Sequence, residues 1–311
     1  MSTTHVRLIA PSGYPHNRDA MARGVVRLQD AGCDVSGLDV LERIELRYAG
    51  SDAERAADIN ALAVMDTLPD ITLAVRGGYG ATRLLPHLEY GALRERLGGS
   101  DAVLVGHSDF TAIQMALYAQ SGLVTFGGPM LGPDFGAEIV NDFTQQQFWN
   151  TLRAPASTAE WTTDDGAEID VEGPLWGGNL AMLCSLIGTP YFPDIEGGIL
   201  YVEDVSEPPF RIERLLYQLH LSGVLGRQRA LLLGDFTDCN PRGYDNGYDI
   251  EQGFLQLRSV VNVPVVGGLP FGHEAAMFTL PFGVPARLQV SGGRARLDFS
   301  DYPHLKQAPA G

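Results

Sequence analysis

Few cysteines, no basic cluster and no long apolar run are the first features of this sequence, and each shortfall removes a class of function. The three cysteines, Cys33, Cys184 and Cys239, stand far apart, are odd in number and form no CxxC pair. Neither a disulfide framework nor a cysteine-built zinc site is expected, and a reducing cytoplasm fits. Lys and Arg number 22 against 38 Asp and Glu, a net charge of −16. Nucleic acid and anionic lipid are therefore not expected partners, because both are held by neutralising phosphates. No stretch reaches the roughly 18 apolar residues of a membrane span. The first residues show no basic segment followed by a long apolar one, so a soluble, unexported chain is expected.

What is present is an ordinary globular composition, 45% hydrophobic and 19% charged over 311 residues. That length suits two domains or one large α/β unit. In the first half, short apolar runs at residues 5–10, 33–38, 71–75 and 102–105 read as strands. Helical spacing covers 18–31, 53–65, 81–88 and 109–120. Strands that are apolar throughout and separated by helices predict a parallel sheet covered on both faces. Over residues 133–173 the texture turns to Thr, Gln, Asp and Ala with little periodicity, which predicts a crossing between domains. Beyond it, helices are expected over 178–187, 209–222 and 253–261, strands over 198–203 and 230–236, and a hairpin over 286–299 around Ser291, Gly292 and Gly293.

Ser108 is the first chemical candidate. In Val105, Gly106, His107, Ser108, Asp109, Phe110 a serine stands at an abrupt strand-to-helix turn, where backbone N–H groups converge on the hydroxyl. Phe110 replaces the last glycine of G-x-S-x-G, and capping the helix is the simpler use of such a serine. Of seven histidines (His5, His16, His87, His107, His220, His273 and His304), His273 is best placed as a base, in the Gly/Pro-rich loop Pro270, Phe271, Gly272, His273. His107, adjacent to the serine in a tight turn, reads as structural. Glu203 ends an apolar strand, where α/β sheets present active-site groups, and Asp204 and Glu207 are its rivals.

Other patterns fail. Gly77, Gly78, Tyr79 and Gly80 follow a strand but lack the third glycine of G-x-G-x-x-G, and no G-x-x-x-x-G-K-[ST] exists. The segment suits an oxyanion loop better. Met277 stands where H-E-x-x-H needs its second histidine, which excludes zinc hydrolysis through that motif, and Arg242 takes a liganding position in the run that imitates an EF-hand.

Six blocks, in order along nearly the whole chain, resemble the LD-carboxypeptidase family of serine peptidases, which remove the terminal D-alanine from murein tetrapeptides. They are Ile9 with Ala10, Pro11, Ser12 and Gly13; Arg76 with Gly77, Gly78, Tyr79, Gly80 and Arg83; Gly106 with His107, Ser108, Asp109, Phe110 and Thr111; Trp176 with Gly177, Gly178, Asn179 and Leu180; Glu203 with Asp204, Val205, Ser206 and Glu207; and Gly272 with His273. The family's Ser, Glu and His triad falls on Ser108, Glu203 and His273. One departure is His107, where the family usually has an aromatic residue.

The resemblance implies an α/β fold: a flavodoxin- or class I amidotransferase-like N-terminal domain (1–135) carrying the serine, a crossing (136–172), and a smaller β-rich, swivelling, barrel-like C-terminal domain (173–311) carrying Glu and His. It implies an oxyanion hole from the backbone N–H groups of Gly78 and Asp109, and substrate contacts at Arg76, Tyr79, Trp176 and Asn179. Arg83, at a helix start, reads as structural. A small peptide substrate, no metal or cofactor, and a cytoplasmic homodimer are expected. A branch of the same family hydrolyses peptide-nucleotide antibiotics of the microcin C type, which is the alternative substrate. A reading of another class, a non-catalytic sensor of peptidoglycan fragments, has no need for the full Ser, Glu and His set.

Overall fold

The computed structural model describes residues 3–164, 166 and 168–306. Residues 1–2 and 307–311, at the expected outer domain limits, and Asp165 and Ala167 in the expected crossing, lie outside the described residues.

Strands β1 (Thr4–Ile9), β2 (Cys33–Ser36), β3 (Ile71–Ala74), β4 (Val103–Gly106) and β5 (Thr125–Gly127) lie parallel in the order β2-β1-β3-β4-β5. That is the flavodoxin-like order, in which ligands sit beyond the carboxyl ends of the strands. Helices α1 (Arg18–Asp30), α2 (Asp52–Asn60), α3 (Tyr90–Leu97) and α4 (Thr111–Ser121) fill the crossovers. Asn17 caps α1, and Ser51 with Glu54 forms a capping box on α2.

Residues 136–172 hold more regular structure than their texture predicts. A helix, α5 (Asp142–Leu152), starts on the Asn141 cap, and β6 (Ala156–Thr162) and β7 (Ile169–Asn179) follow. Then come α6 (Leu180–Ser185), β8 (Ile199–Val205), α7 (Pro209–Leu221), β9 (Ala230–Thr237), α8 (Ile250–Val260), β10 (Val265–Val266), β11 (Leu280–Phe282), β12 (Val284–Ser291) and β13 (Arg294–Ser300). The second sheet runs β10-β9-β8-β7-β12-β13-β6 and curls into half a barrel. Its first four strands are parallel and the rest antiparallel. Gly292 and Gly293, both at positive φ, make the two-residue turn of the expected hairpin. β11 leaves this half of the chain and pairs antiparallel with β5, closing the first sheet.

Among the expected elements that differ locally, the helix over 53–65 ends at Asn60 and gives way to a 3-10 turn, Ala61–Ala63, and that over 109–120 opens with a 3-10 turn, Ser108–Phe110. β2 ends at Ser36, because Gly37 turns at φ 73° into a 3-10 turn. Residues 81–87 form a 3-10 helix around Pro86, whose missing N–H prevents an α-helix there. Asn179 ends β7 and caps α6, so the helix begins later than Gly178.

Alternate residues of each buried strand enter two cores on opposite faces. Leu8, Leu73, Val105 and Tyr201 share one core, and Ile9, Ala74, Leu104 and Val202 the other. Both cores continue across both sheets. This alternation decides which way each strand-end side chain points.

Candidate active site

β4 is apolar and fully buried up to Gly106, where a Cβ would lie 2.7 Å from the Phe110 ring and 3.0 Å from Ala74 Cβ. Phe110 thus fills the space that the glycine leaves, and the turn closes without the last glycine of G-x-S-x-G. His107 is extended and Ser108 is left-handed at φ 62°. A non-glycine residue in that region costs on the order of 1–3 kcal/mol and persists only where its surroundings hold it. Asp109 supplies the hold. Its carboxylate accepts from Ser12 Oγ at 2.6 Å and from the Ala81 N–H at 2.8 Å, tying the turn to the loops that follow β1 and β3. Burial pushes this carboxyl up to about 6 against those two bonds and the charges of Arg55 and Arg47.

The loop after β3 presses on the serine. A Cβ at Gly77 would stand 2.9 Å from Ser108 Oγ and 3.4 Å from the Asp109 nitrogen, so only glycine permits this approach. Gly78 follows at φ 96°. The expected oxyanion donors, Gly78 N–H and Asp109 N–H, belong to these two adjoining segments.

Glu203, fully buried, shares the face of β8 with Tyr201. Opposite it the ladder with β9 slips, from Val202 against Leu233 to Asp204 against Phe236, leaving Gly234 and Asp235 as a bulge. The His273 loop docks on this bulge. The Asp235 N–H donates to the Phe271 carbonyl at 2.8 Å, and a Cβ at Gly272 (φ 154°) would come within 2.9 Å of Asp235 Cβ and 3.3 Å of Glu203 Cβ. Burial, with Glu274 and Glu203 adding to it, pushes the Asp235 carboxyl up to about 7.

The result is one bonded line. His273 Nδ1 lies 2.8 Å from Glu203 Oε2 and its Nε2 lies 3.0 Å from Ser108 Oγ. A carboxylate only accepts, so Nδ1 carries the proton and Nε2 is left to accept from the serine hydroxyl. Burial, the largest single influence on His273, disfavours its charged form. The Glu203 hydrogen bond and charge, with Asp134 and Asp204, outweigh it, and the net shift is upward.

Ser108 and His273 open into a cleft of about 420 Å³ whose walls include His16, Arg76, Gly78 and Asp134. Arg76 donates Nη1 to the Tyr14 carbonyl at 3.0 Å, and burial first of all draws its guanidinium below the ordinary value. A larger hollow of about 600 Å³ over Ser157, Pro174 and Phe299 has no histidine on its walls.

The remaining expected residues lie elsewhere. Trp176 is in the core, donating its indole N–H to Gln228 Oε1 and packing on Phe192 and Phe282. Asn179 is buried, capping α6 and donating Nδ2 to Asp204 Oδ1 at 3.1 Å. Tyr79 is off the cleft wall, half exposed against Tyr48. Glu207 pairs with Arg211 on the surface, and Arg83 pairs with Asp52 and covers Tyr48. Asp134 and His16 reach the cleft without having been singled out. Asp134 stands on a single π-turn, Leu131–Phe135, a geometry that no residue pattern announces.

Family models match residues 6–128 as an LD-carboxypeptidase N-terminal domain and residues 172–288 as an LD-carboxypeptidase C-terminal domain. The crystal structure of muramoyltetrapeptide carboxypeptidase from Oxalobacter formigenes is 43% identical, with a TM-score of 0.89 over 96% of this chain and 100% of that one. Murein tetrapeptide carboxypeptidase of Pseudomonas aeruginosa is 34% identical over 94% of each protein. Microcin C7 self-immunity protein MccF of Escherichia coli is 30% identical over 84% of this chain and 83% of its own length. The chain belongs to the LD-carboxypeptidase family of serine peptidases.

Proposed function

We propose that this protein is a serine carboxypeptidase that cleaves the bond before the C-terminal D-alanine of murein tetrapeptides. The observation that carries this reading is the bonded line from Glu203 through His273 to Ser108, opening on a cleft that also holds the half-buried Arg76.

In the reaction, Ser108 Oγ attacks the carbonyl carbon before the terminal residue while His273 Nε2 takes the hydroxyl proton. Glu203 keeps His273 in the required tautomer and stabilises the imidazolium. The N–H groups of Gly78 and Asp109 bind the developing oxyanion, at the start of a helical turn where partial positive charge gathers. His273 then returns the proton to the leaving amine, and water releases the acyl group by the reverse sequence. Arg76 holds the terminal carboxylate. With a net charge of −16, attraction of an acidic peptide must be local to the cleft.

A second reading, hydrolysis of a microcin C-type peptide-nucleotide, is favoured by the 30% identity to MccF and uses the same chemistry. We place the protein in the cytoplasm as a homodimer; its three free, buried cysteines support a reducing compartment, and light scattering decides the assembly. Among the described residues no helix is long and apolar enough to cross a membrane. Labelling with a fluorophosphonate tests the function: Ser108 is modified in the wild type and much more slowly in His273→Ala. A wild-type protein that resists the probe contradicts an activated serine.

A further inference from the structure

His107 is only 2% exposed and is the last extended residue before Ser108. Its Nδ1 lies 3.0 Å from the Gly128 carbonyl oxygen. A carbonyl only accepts, so Nδ1 carries a proton, and in the neutral ring Nε2 keeps a lone pair. Burial, the largest influence, holds this imidazole below its ordinary range, against Asp134 and Glu203. The ring meets His273 edge to face, with centroids 5.1 Å apart and planes at 74°.

The two hydrogen bonds of His273 fix an axis through its ring, from Glu203 to Ser108, but not the tilt of the ring about that axis. Something must touch the ring itself to set the tilt, and His107 does. A neutral ring is suited to the task, since a second cation at this distance would oppose the imidazolium formed in the proposed reaction. We propose that His107 is a positioning residue for His273: its buried ring, packed edge to face on that of His273, sets the tilt that keeps Nε2 directed at Ser108. The proposal rests on the triad reading above.

Two variants separate the ring from its hydrogen bond. His107→Phe keeps a ring and loses the donor to Gly128, whereas His107→Gln keeps an amide donor and loses the ring. The Gln variant is expected to lose kcat by on the order of 10–100-fold, as for misplaced catalytic groups, with KM nearly unchanged. The far-downfield proton NMR signal of the His273 Nδ1–H bonded to Glu203 should broaden away with it. The Phe variant should retain the signal and most of kcat. Melting curves normalise both to folded protein, and a merely structural role would change them without touching the signal. The reverse pattern, Gln active and Phe impaired, assigns the effect to the Gly128 bond and overturns the proposal. So does a Gln variant with intact signal and rate. If the wild type shows neither the signal nor fluorophosphonate labelling, the triad reading fails and takes this proposal with it. A labelled wild type with an unaffected Gln variant removes this proposal alone.

Discussion

Glu203 and Asp204 are neighbours on one strand, yet their carboxylates serve opposite faces of the sheet. Glu203 receives His273 Nδ1 at 2.8 Å, while Asp204 accepts from Asn179 Nδ2 at 3.1 Å and from the Ala181 N–H at 3.0 Å. Glu203→Gln keeps an acceptor but removes the charge that stabilises imidazolium. A loss in kcat of up to about 10⁴-fold is expected, with a small change in KM. Asp204→Asn should lower the melting temperature through the α6 cap while largely sparing kcat. Equal kinetic losses in the two variants would mean that the carboxylates have been misassigned.

In the proposed mechanism the charge state of His273 sets the pH dependence. Its folded pKa is raised above the ordinary 6.5 because Glu203, Asp134 and Asp204 together overcome burial. The proposed base must be neutral, so the acid limb of kcat/KM lies above pH 6.5 in the wild type. In Glu203→Gln the carboxylate charge that helps raise it is gone while burial still acts, and the limb moves to lower pH. A pH–rate profile with an unmoved limb would detach the observed titration from this pair.

Ser108 and His273 should behave as one unit. Each alanine variant is expected to lose on the order of 10⁶ in kcat, and the double variant to be little worse than either. Additive losses in single-turnover measurements would show that the two residues act in separate steps.

How far the sequence revealed this arrangement follows from which interactions are local. The turn at Gly106, His107 and Ser108, the strand end at Glu203 and the glycine-rich approach to His273 are short-range patterns, and all three are visible in the chain. The position of Glu203 against Asp204 needed strand alternation, which cannot be phased until the burial of Tyr201 and Val202 is known. Trp176 and Asn179 are expected at the site only through the family resemblance, and their observed partners, Gln228 and Asp204, lie 52 and 25 residues away. The strands β6 and β7 were hidden for the same reason, since β6 depends on β13 and β7 on β12 and β8. The Asp235 bulge that seats the His273 loop is a mismatch between two strands, and neither strand displays it alone.

The proposed oxyanion loop offers a test through the backbone. Gly78 is at φ 96°, and the nearest atom to an added Cβ is Arg76 Nη2 at 3.3 Å, so the obstacle to a side chain is conformational rather than a hard clash. Gly78→Val should cost about 1–3 kcal/mol of stability by strain and turn its N–H away. Loss of one oxyanion donor lowers kcat by on the order of 10²–10³. Circular dichroism melting together with kcat per folded molecule distinguishes the roles: a lowered melting point with normal kcat would defeat the oxyanion assignment.

The most direct measurement is mass spectrometry of murein tetrapeptide, and in parallel of an aminoacyl-sulfamoyl adenosine, after incubation with the wild type and with Ser108→Ala. The account predicts conversion of the tetrapeptide to tripeptide and free D-alanine by the wild type, and an intact tetrapeptide with Ser108→Ala. Cleavage of the nucleotide conjugate alone would transfer the assignment to the second reading. A tetrapeptide untouched by the wild type, or cleaved equally well without Ser108, would contradict the central claim.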